Sequence, residues 1–333
     1  MPAPENGSRL GRPLVSVVIP AYNVEAYIVQ AIQSALNQTL RELEVIVIDD
    51  GSTDSTRERI ASIQDPRLKL LVQKNAGLSA ARNAGIRLSR GRYIGFLDAD
   101  DIWYPEKAET HLQVMEQDSS IGITYSFMAY IDELGKPTGQ FRIARTKEPT
   151  VLDLVLQNDI IPSATIVRKE ALVQAGLFDE GLRSVQDLEM WVRILHKTGY
   201  SARLVPRVLT GYCERGDSLS MGGELYLRSA QIVMDRFEAT IPGVSREIRN
   251  RGLASIFRIA SRKALSAGDL ELATKCMRGA LGYCPTIFMR DLRAFGTFSL
   301  IVLGNLLPAR WERVPYKAAR RVMKLFFQAF VHK

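Results

Sequence analysis

The chain has 333 residues, of which 46% are hydrophobic and 24% charged, so a miniprotein, a collagen-like fibre and a disordered chain are excluded. Three cysteines without a CxxC spacing argue against a disulfide framework and a zinc site, and they favour a reducing compartment. Residues 1–13 contain no long apolar stretch, so we expect no secretory signal and a cytoplasmic location.

The net charge of +8 is unevenly divided along the chain. Residues 241–333 contain 17 Lys and Arg against 5 Asp and Glu, a net of +12, whereas residues 1–240 contain 27 against 31. This contrast predicts a slightly acidic folded domain joined to a basic segment. Such a segment is expected to meet something anionic, such as phospholipid head groups or nucleic acid.

Strand and helix signals alternate over the first hundred residues. Continuous β-branched runs such as Val15–Pro20 indicate strands buried on both faces. The alternation predicts a mostly parallel sheet with helices on both faces and a ligand site at the carboxyl ends of the strands. The predicted strands are Val15–Pro20, Leu43–Ile48, Arg67–Val72 and Tyr93–Leu97, and the predicted helices are Glu25–Gln38, one starting near Ser55, and Ser79–Leu88.

The rest of the chain is less regular and then becomes helical. Strands are predicted at Ile121–Ile131 and Ile160–Val167, with a turn at 133–136 between them. Apolar residues at helical spacing predict helices at Leu188–His196, Gly252–Ala267 and Leu270–Leu281, the last two joined as a hairpin by Gly268 and Asp269.

Two acidic clusters follow predicted strands. Asp98, Asp100 and Asp101 place repelling charges side by side, which is unfavourable unless a cation occupies the site. Carboxylates suit Mg²⁺ or Mn²⁺, and either ion can neutralise a diphosphate. Asp49 and Asp50 follow the second strand in the equivalent position, and a carboxylate there can accept a nucleobase N–H or a ribose hydroxyl. Both clusters have an alternative interpretation as solvated turns that cap the next helix.

A run of small residues, Asn75–Gly85, opens the third predicted helix. Small side chains permit close backbone approach, and Arg82 can meet a phosphate there. Alternatively, these residues only pack the helix against the sheet. The chain has no P-loop sequence and no GxGxxG after the first strand, so those nucleotide sites lack their fingerprints.

Five motifs occur in a consistent order, and together they resemble family 2 glycosyltransferases of the GT-A fold over about residues 13–220. The resemblance implies an α/β fold with a Rossmann-like, mostly parallel central sheet flanked by helices and a helical C-terminal extension. Together with the uneven charge and the helical period of the final third, it predicts a flexible N-terminus at 1–12, a catalytic domain at 13–240 and a basic helical region at 241–333. The motifs are Val17–Asn23, Ala35–Thr39, Val47–Asp54, Asn75–Gly85 and Phe96–Asp101.

The resemblance also assigns roles to residues at matching positions. It implies that Asp98 contacts the ribose and that Asp100 holds a divalent ion, Mg²⁺ or Mn²⁺, against the donor diphosphate. Asp101, Arg215 and Asp217 are further candidates for diphosphate or lid contacts, although 212–220 also fits a lid without a ligand. The family commonly has a His in that segment, and this chain has none. The residues implied to bind the nucleotide are Pro20, Ala21, Tyr22, Asp50, Arg82 and Asp98.

A later motif of the family matches Gln186–Arg193, with Asp187 at the position of the catalytic base. Inverting transfer needs one carboxylate to take the proton of the attacking hydroxyl, and it needs no second nucleophile. Gln186 stands where the family usually has Glu. Without the resemblance, a cap for the helix at Leu188 is the favoured explanation of Asp187.

The sequence therefore predicts a metal-dependent inverting glycosyltransferase. Its expected partners are a nucleoside diphosphate sugar, UDP-linked by preference, and a glycan or lipid-linked acceptor of cell-surface polysaccharide synthesis. No nucleic-acid partner is expected, and oligomerisation is left open. The alternatives are a nucleotide-sugar-binding protein without turnover, which Gln186 and the missing His would favour, and a sugar nucleotidyltransferase. The segment Ala21–Glu25 lacks the Gly-rich basic loop expected of the latter.

The C-terminal tail carries a membrane signal of its own. The apolar run Phe295–Leu307 has 13 residues, short of the roughly 20 that span a bilayer. Residues 317–333 predict a basic amphipathic helix, with Leu325, Phe326 and Phe330 on its apolar face. We expect this helix to lie on the inner membrane face. The alternative is that it docks onto the catalytic domain or a second subunit.

Removing residues 314–333 should release the protein from anionic vesicles, because the tail combines basic charge with an apolar stripe. High salt should also weaken attachment of the intact chain. Vesicle sedimentation measures both effects, and donor binding by the truncated chain is the control. Continued sedimentation of the truncated chain, or joint loss of fold and donor binding, would contradict the membrane interpretation.

Overall fold

The computed structural model describes residues 12–213, 223–287 and 292–306. In these ranges the chain forms a nine-stranded sheet with helices on both sides. The strands are β1 Val15–Ala21, β2 Leu43–Asp49, β3 Leu68–Val72, β4 Tyr93–Phe96, β5 Ile102–Trp103, β6 Ile121–Ile131, β7 Pro137–Arg142, β8 Thr165–Arg168 and β9 Ser201–Cys213. The helices are α1 Ile28–Leu36, α2 Thr56–Ala61, α3 Leu78–Leu88, α4 Lys107–Gln117, α5 Val151–Leu156, α6 Lys169–Ala175, α7 Gln186–Lys197, α8 Glu224–Thr240, α9 Arg246–Ser266, α10 Leu270–Tyr283 and α11 Leu292–Leu306.

The sheet has a parallel half and a mixed half. Its order is β3-β2-β1-β4-β8-β6-β9-β5, with β7 paired to β6. The four strands from β3 to β4 are parallel, as the alternating pattern predicts. Beyond β4, strand β8 runs antiparallel to both β4 and β6, while β9 is parallel to β6. The α/β fold is confirmed, and the half nearest the N-terminus is its all-parallel part.

Apolar side chains of the parallel strands alternate between two cores. In β1, Val17 and Ile19 face the core that contains α1, whereas Val18 faces the core that contains α7 and the C-terminal helices. All seven residues of β1 are buried. Burial on both faces explains why the strand is a continuous apolar run instead of an alternating one.

The C-terminal helices share the second of these cores. Leu253 of α9 and Val18 of β1 belong to one buried cluster, and α9 packs against α5, α8 and α10. The predicted hairpin between α9 and α10 is present, with Gly268 at φ +85° and the Asp269 carboxylate accepting the Leu272 N–H at 2.9 Å. No helix in the described ranges is long and apolar enough to cross a membrane.

Some predicted elements differ from the observed ones. The predicted strand Ile160–Val167 is wrong in its first half, where Pro162–Ala164 form a 3₁₀ turn before β8. There the Ile160 carbonyl accepts the indole N–H of Trp191 at 3.0 Å instead of a neighbouring strand. The helix predicted over Glu25–Gln38 begins only at Ile28. The terminal helix predicted at 317–333 lies outside the described residues.

Gly95→Ala should destabilise the fold, because its new Cβ would lie 2.2 Å from the ring of the buried Trp103. Overpacking of this kind costs about 1–3 kcal/mol. Gly282→Ala is the matched control, since nothing lies within 4 Å of its Cβ position and α10 should gain about 0.5–1 kcal/mol. Chemical denaturation compares the two variants, and equal midpoints would contradict the predicted clash.

Candidate active site

A cavity of about 910 Å³ opens at the carboxyl ends of β1, β2 and β4. Its opposite wall comes from the segment after β7, from α5, from the start of α7 and from α9. Nine of the residues predicted from sequence line this single cavity, and Arg215 and Asp217 fall in 214–222, outside the described residues. The nine are Pro20, Ala21, Tyr22, Asp50, Arg82, Asp98, Asp100, Asp101 and Asp187.

The two aspartates after β2 have different surroundings. Asp49 is buried, pairs with Arg57 at 3.0 Å and accepts the Ser52 N–H, so its contacts are those of a turn. Asp50 lines the cavity and accepts the backbone N–H groups of Ala76 and Gly77 at 2.9 and 2.8 Å. Asp50 therefore fixes the loop before α3, where Gly77 has φ +94°.

The Asp50 carboxylate can accept a further hydrogen bond from a ligand. Its third bond comes from the Gln73 side-chain amide, at 2.7 Å. Two carboxylate oxygens offer about four lone-pair sites, so one further N–H donor can be accepted.

Arg82 crosses from α3 to the acidic cluster after β4. Its guanidinium donates to Asp98 Oδ1 at 2.7 Å, with side-chain exposures of 3% for Arg82 and 31% for Asp98. It also lies 5.5 Å from the ring centre of Phe178. In this arrangement the arginine partners a carboxylate that faces the cavity.

Asp101 is the buried member of the acidic cluster. Burial raises its pKa well above the ordinary value, and the negative charges of Asp100 and Asp98 raise that pKa further. Its Oδ1 accepts the Cys213 N–H at 2.9 Å, which ties the end of β9 to this loop. The charges of Asp98 and Asp100 therefore act on the Asp101 carboxyl group at one point of the cavity.

Asp187 lies in the first turn of α7, after a strained residue. Val185 has φ +63°, a left-handed conformation that is rare for a β-branched residue, and such strain is concentrated at functional sites. The amide of Asn158 donates to Asp187 Oδ2 at 3.0 Å. Removal from water raises the pKa of Asp187, opposed by the Leu188 N–H and the positive charge of Arg82.

Gln186 occupies the position before Asp187 without adding a charge. It is buried, lines the cavity and donates to the Leu182 carbonyl at 3.3 Å. That bond holds the chain before α7 against its first turn.

Several residues at the cavity carry no motif and are missed by sequence reasoning. Arg142 donates to the Asn158 carbonyl at 3.2 Å, and Tyr226 of α8 lies near both Arg142 and Asp187. Burial raises the pKa of the Tyr226 hydroxyl, and the Asp187 charge raises it further. These residues belong to irregular or helical segments whose periodicity gives no sign of a site.

The carboxylates suit a cation that is shared with a ligand. The described residues contain no group of three potential protein ligands for a metal. Mg²⁺ is typically held by one or two carboxylates together with substrate phosphates, so a complete protein cage is not required. Asp98 and Asp100 both line the cavity, and Asp98 also pairs with Arg82.

Comparison with known proteins identifies a family. The family model described as glycosyl transferase family 2 matches residues 16–175. The candidate teichuronic acid biosynthesis glycosyltransferase TuaG of Bacillus subtilis (strain 168) is 34% identical over 215 residues, which are 63% of this chain and 82% of TuaG. The chain spans only 26–30% of the length of three other curated relatives, uncharacterised glycosyltransferases of Rickettsia species.

Solved structures of glycosyltransferases share the fold. S. aureus TarS 1-349 in complex with UDP-GlcNAc has a TM-score of 0.60 and 17% identity, over 86% of this chain and 90% of that one. The mannosyltransferase PcManGT from Pyrobaculum calidifontis, in complex with GDP-Man and Mn²⁺, has a TM-score of 0.54 and 20% identity, over 89% and 88%. At these identities the likeness establishes the architecture alone.

Proposed function

Because this chain belongs to glycosyltransferase family 2, we propose that it transfers a sugar, with inversion, from a nucleoside diphosphate sugar to an acceptor hydroxyl. The observation that carries the proposal is one cavity that joins Asp50, the acidic cluster after β4 and Asp187. Polysaccharide synthesis is the proposed setting, in line with the name of the TuaG relative.

The donor is proposed to lie along the parallel strands. Asp50 has one acceptor position left, which suits the N–H of a uracil, and Pro20, Ala21 and Tyr22 border the same space. Tyr22 is 50% exposed at the cavity rim, where its ring can cover a base. The TarS complex with UDP-GlcNAc supports a UDP-linked donor, and the PcManGT complex with GDP-Man makes a guanine nucleotide the alternative to test.

Asp100 is proposed to hold a divalent cation against the donor diphosphate. The cation would neutralise the phosphate charge that grows as the sugar leaves. PcManGT, which shares the fold, was solved with Mn²⁺ and GDP-Man, and this supports Mg²⁺ or Mn²⁺ here. Arg82 keeps Asp98 oriented beside this position.

Asp187 is proposed as the general base. Its carboxylate takes the acceptor hydroxyl proton while that oxygen forms a bond to the anomeric carbon and the bond to the diphosphate oxygen breaks. Asn158 orients Oδ2, and the N-terminus of α7 favours the carboxylate charge before the proton arrives. A raised pKa makes this carboxylate a better proton acceptor than an exposed one. These features favour turnover over binding alone.

The further proposed partners are a glycan or lipid-linked acceptor and an anionic membrane surface. The basic tail that would contact the membrane lies outside the described residues. Peripheral attachment on the inner membrane face therefore stays a prediction from sequence.

Asp100→Asn should remove the dependence of UDP binding on divalent cations, because the variant loses the carboxylate proposed to contact the ion. Calorimetry with UDP, with and without Mn²⁺, measures this dependence. Asp159→Asn is the matched control, since Asp159 lines the same cavity away from the acidic cluster. Metal enhancement that persists in Asp100→Asn would overturn the assignment.

Asp187→Asn should lower kcat by about 10²- to 10⁴-fold with little change in donor affinity, because the base acts in the transition state. For the unaltered chain, activity should fall as pH drops through the Asp187 pKa, since only the carboxylate accepts the proton. The raised pKa places this acid limb above that of an ordinary aspartate. Near-normal turnover of Asp187→Asn would contradict the proposed role as a base and favour the interpretation of Asp187 as a helix cap.

A further inference from the structure

The charged residues that line the active-site cavity include two groups. The first group is Asp50 and the acidic cluster after β4, together with Arg82. The second group, named the cationic wall, contains five basic residues. The cationic wall consists of Arg142, Arg145, Arg258, Arg262 and Lys263.

Two separate parts of the chain build the cationic wall. Arg142 and Arg145 belong to the end of β7 and the segment after it, whereas the other three residues lie on α9. Arg258 and Arg262 are one helical turn apart and share a face of α9. Arg258 is 2% exposed, so a positive charge is held within the wall itself. Among the described residues that line the cavity, Asp159 is the acidic residue besides Asp50, the acidic cluster and Asp187.

The cationic wall adjoins the proposed base. Arg142 donates to the carbonyl of Asn158, and the amide of the same Asn158 donates to Asp187. Tyr226 is within electrostatic reach of both Arg142 and Asp187. Asn158 therefore links Arg142 of the wall to Asp187, the carboxylate proposed to deprotonate the acceptor.

The donor is a poor candidate for occupying this wall. The residues proposed to hold its base and diphosphate follow β1, β2 and β4, on the parallel half of the sheet. The cationic wall follows β7, which pairs with β6 beyond β8, and continues on α9. Asp187 lies at the N-terminus of α7 and accepts a hydrogen bond from Asn158, whose carbonyl accepts one from Arg142 of the wall.

We propose that the cationic wall is the acceptor subsite and that the acceptor is an anionic glycan. Five basic side chains line one cavity, and the phosphate or carboxylate groups of a bound chain would complement this concentration of positive charge. Arg142 would contact the charge nearest the reacting hydroxyl. Arg145, Arg262 and Lys263 would contact charges on neighbouring sugar units. This inference rests on the proposed glycosyl transfer and specifies its substrate class.

Binding of three oligomers of equal length by the intact chain tests the inference. The probes are an oligogalacturonate, a glycerol phosphate oligomer and a neutral malto-oligosaccharide, each measured by calorimetry at low and high salt. Both anionic probes, or one of them, should bind at least about tenfold more tightly than the neutral probe, and salt should weaken that binding. The tighter of the two anionic probes identifies carboxylate or phosphodiester as the preferred group. Equal affinity for all three would overturn the inference.

A second experiment removes positive charge from the cationic wall. Arg262→Gln with Lys263→Gln should weaken the anionic probe about tenfold and leave UDP affinity unchanged, because these side chains are proposed to contact only the acceptor. Lys275→Gln with Arg278→Gln is the matched control, since it removes two exposed charges from α10 outside the cavity. If the control pair loses as much affinity for the anionic probe, the effect comes from the overall charge of the protein, and the proposed acceptor subsite is wrong.

UDP binding separates this inference from the function on which it rests. If the Arg262 and Lys263 substitutions reduce UDP affinity, the wall serves the donor, so the acceptor subsite is wrong while the proposed transfer stands. If the intact chain binds no nucleoside diphosphate at all, the proposed function fails and the subsite fails with it.

Discussion

The ion pair between Arg82 and Asp98 is the interaction on which the acidic end of the cavity depends. The loop after β4 brings Asp98, Asp100 and Asp101 to one point, where burial and the charges of the other two carboxylates raise the pKa of Asp101. Arg82 brings a permanent positive charge to that point from the neighbouring helix α3. It also lowers the pKa of Asp187, against the stronger effect of burial. One buried arginine thus acts on both the donor carboxylates and the proposed base.

The position of Arg82 follows from the packing beneath it. Helix α3 lies close to β1, since a Cβ on Gly85 would come within 2.3 Å of Val18. The small residues of α3 therefore pack the helix closely against β1, which is one of the two interpretations offered for Asn75–Gly85. The close approach also brings Arg82 to the end of β4, so the packing interpretation and the ligand interpretation describe the same helix.

The parallel half of the fold and the residues of the proposed donor site could be predicted from sequence because each depends on local signals. Buried strands such as Val15–Ala21 are continuous apolar runs, and the acidic clusters follow them directly. The antiparallel strand β7 carries no such signal, because it is an exposed hairpin strand with a polar sequence. Strand β8 is short and follows a proline turn, so the predicted strand Ile160–Val167 wrongly includes the residues of that turn.

The residues of the proposed acceptor subsite could not be predicted, because their signals are not local. Asn158, Arg142 and Arg258 come together only through tertiary packing of α5, α9 and the segment after β7. A single Asn in a loop or an Arg on an amphipathic helix is typical of many surfaces, so neither stands out in a sequence. Asp187 was found because a family motif marks it, whereas its partner Asn158 lies 29 residues away without a motif.

The cavity also changes how the division at residue 240 is understood. By sequence, the region after it differs in charge and periodicity from the region before. In the structure, α9 shares a buried core with β1 and contributes three basic residues to the cavity that holds Asp187. A helix that both stabilises the catalytic core and lines its active site cannot vary independently of either. Changes in acceptor preference are therefore expected on the cavity face of α9, while its buried face stays constrained by packing against α5 and α10.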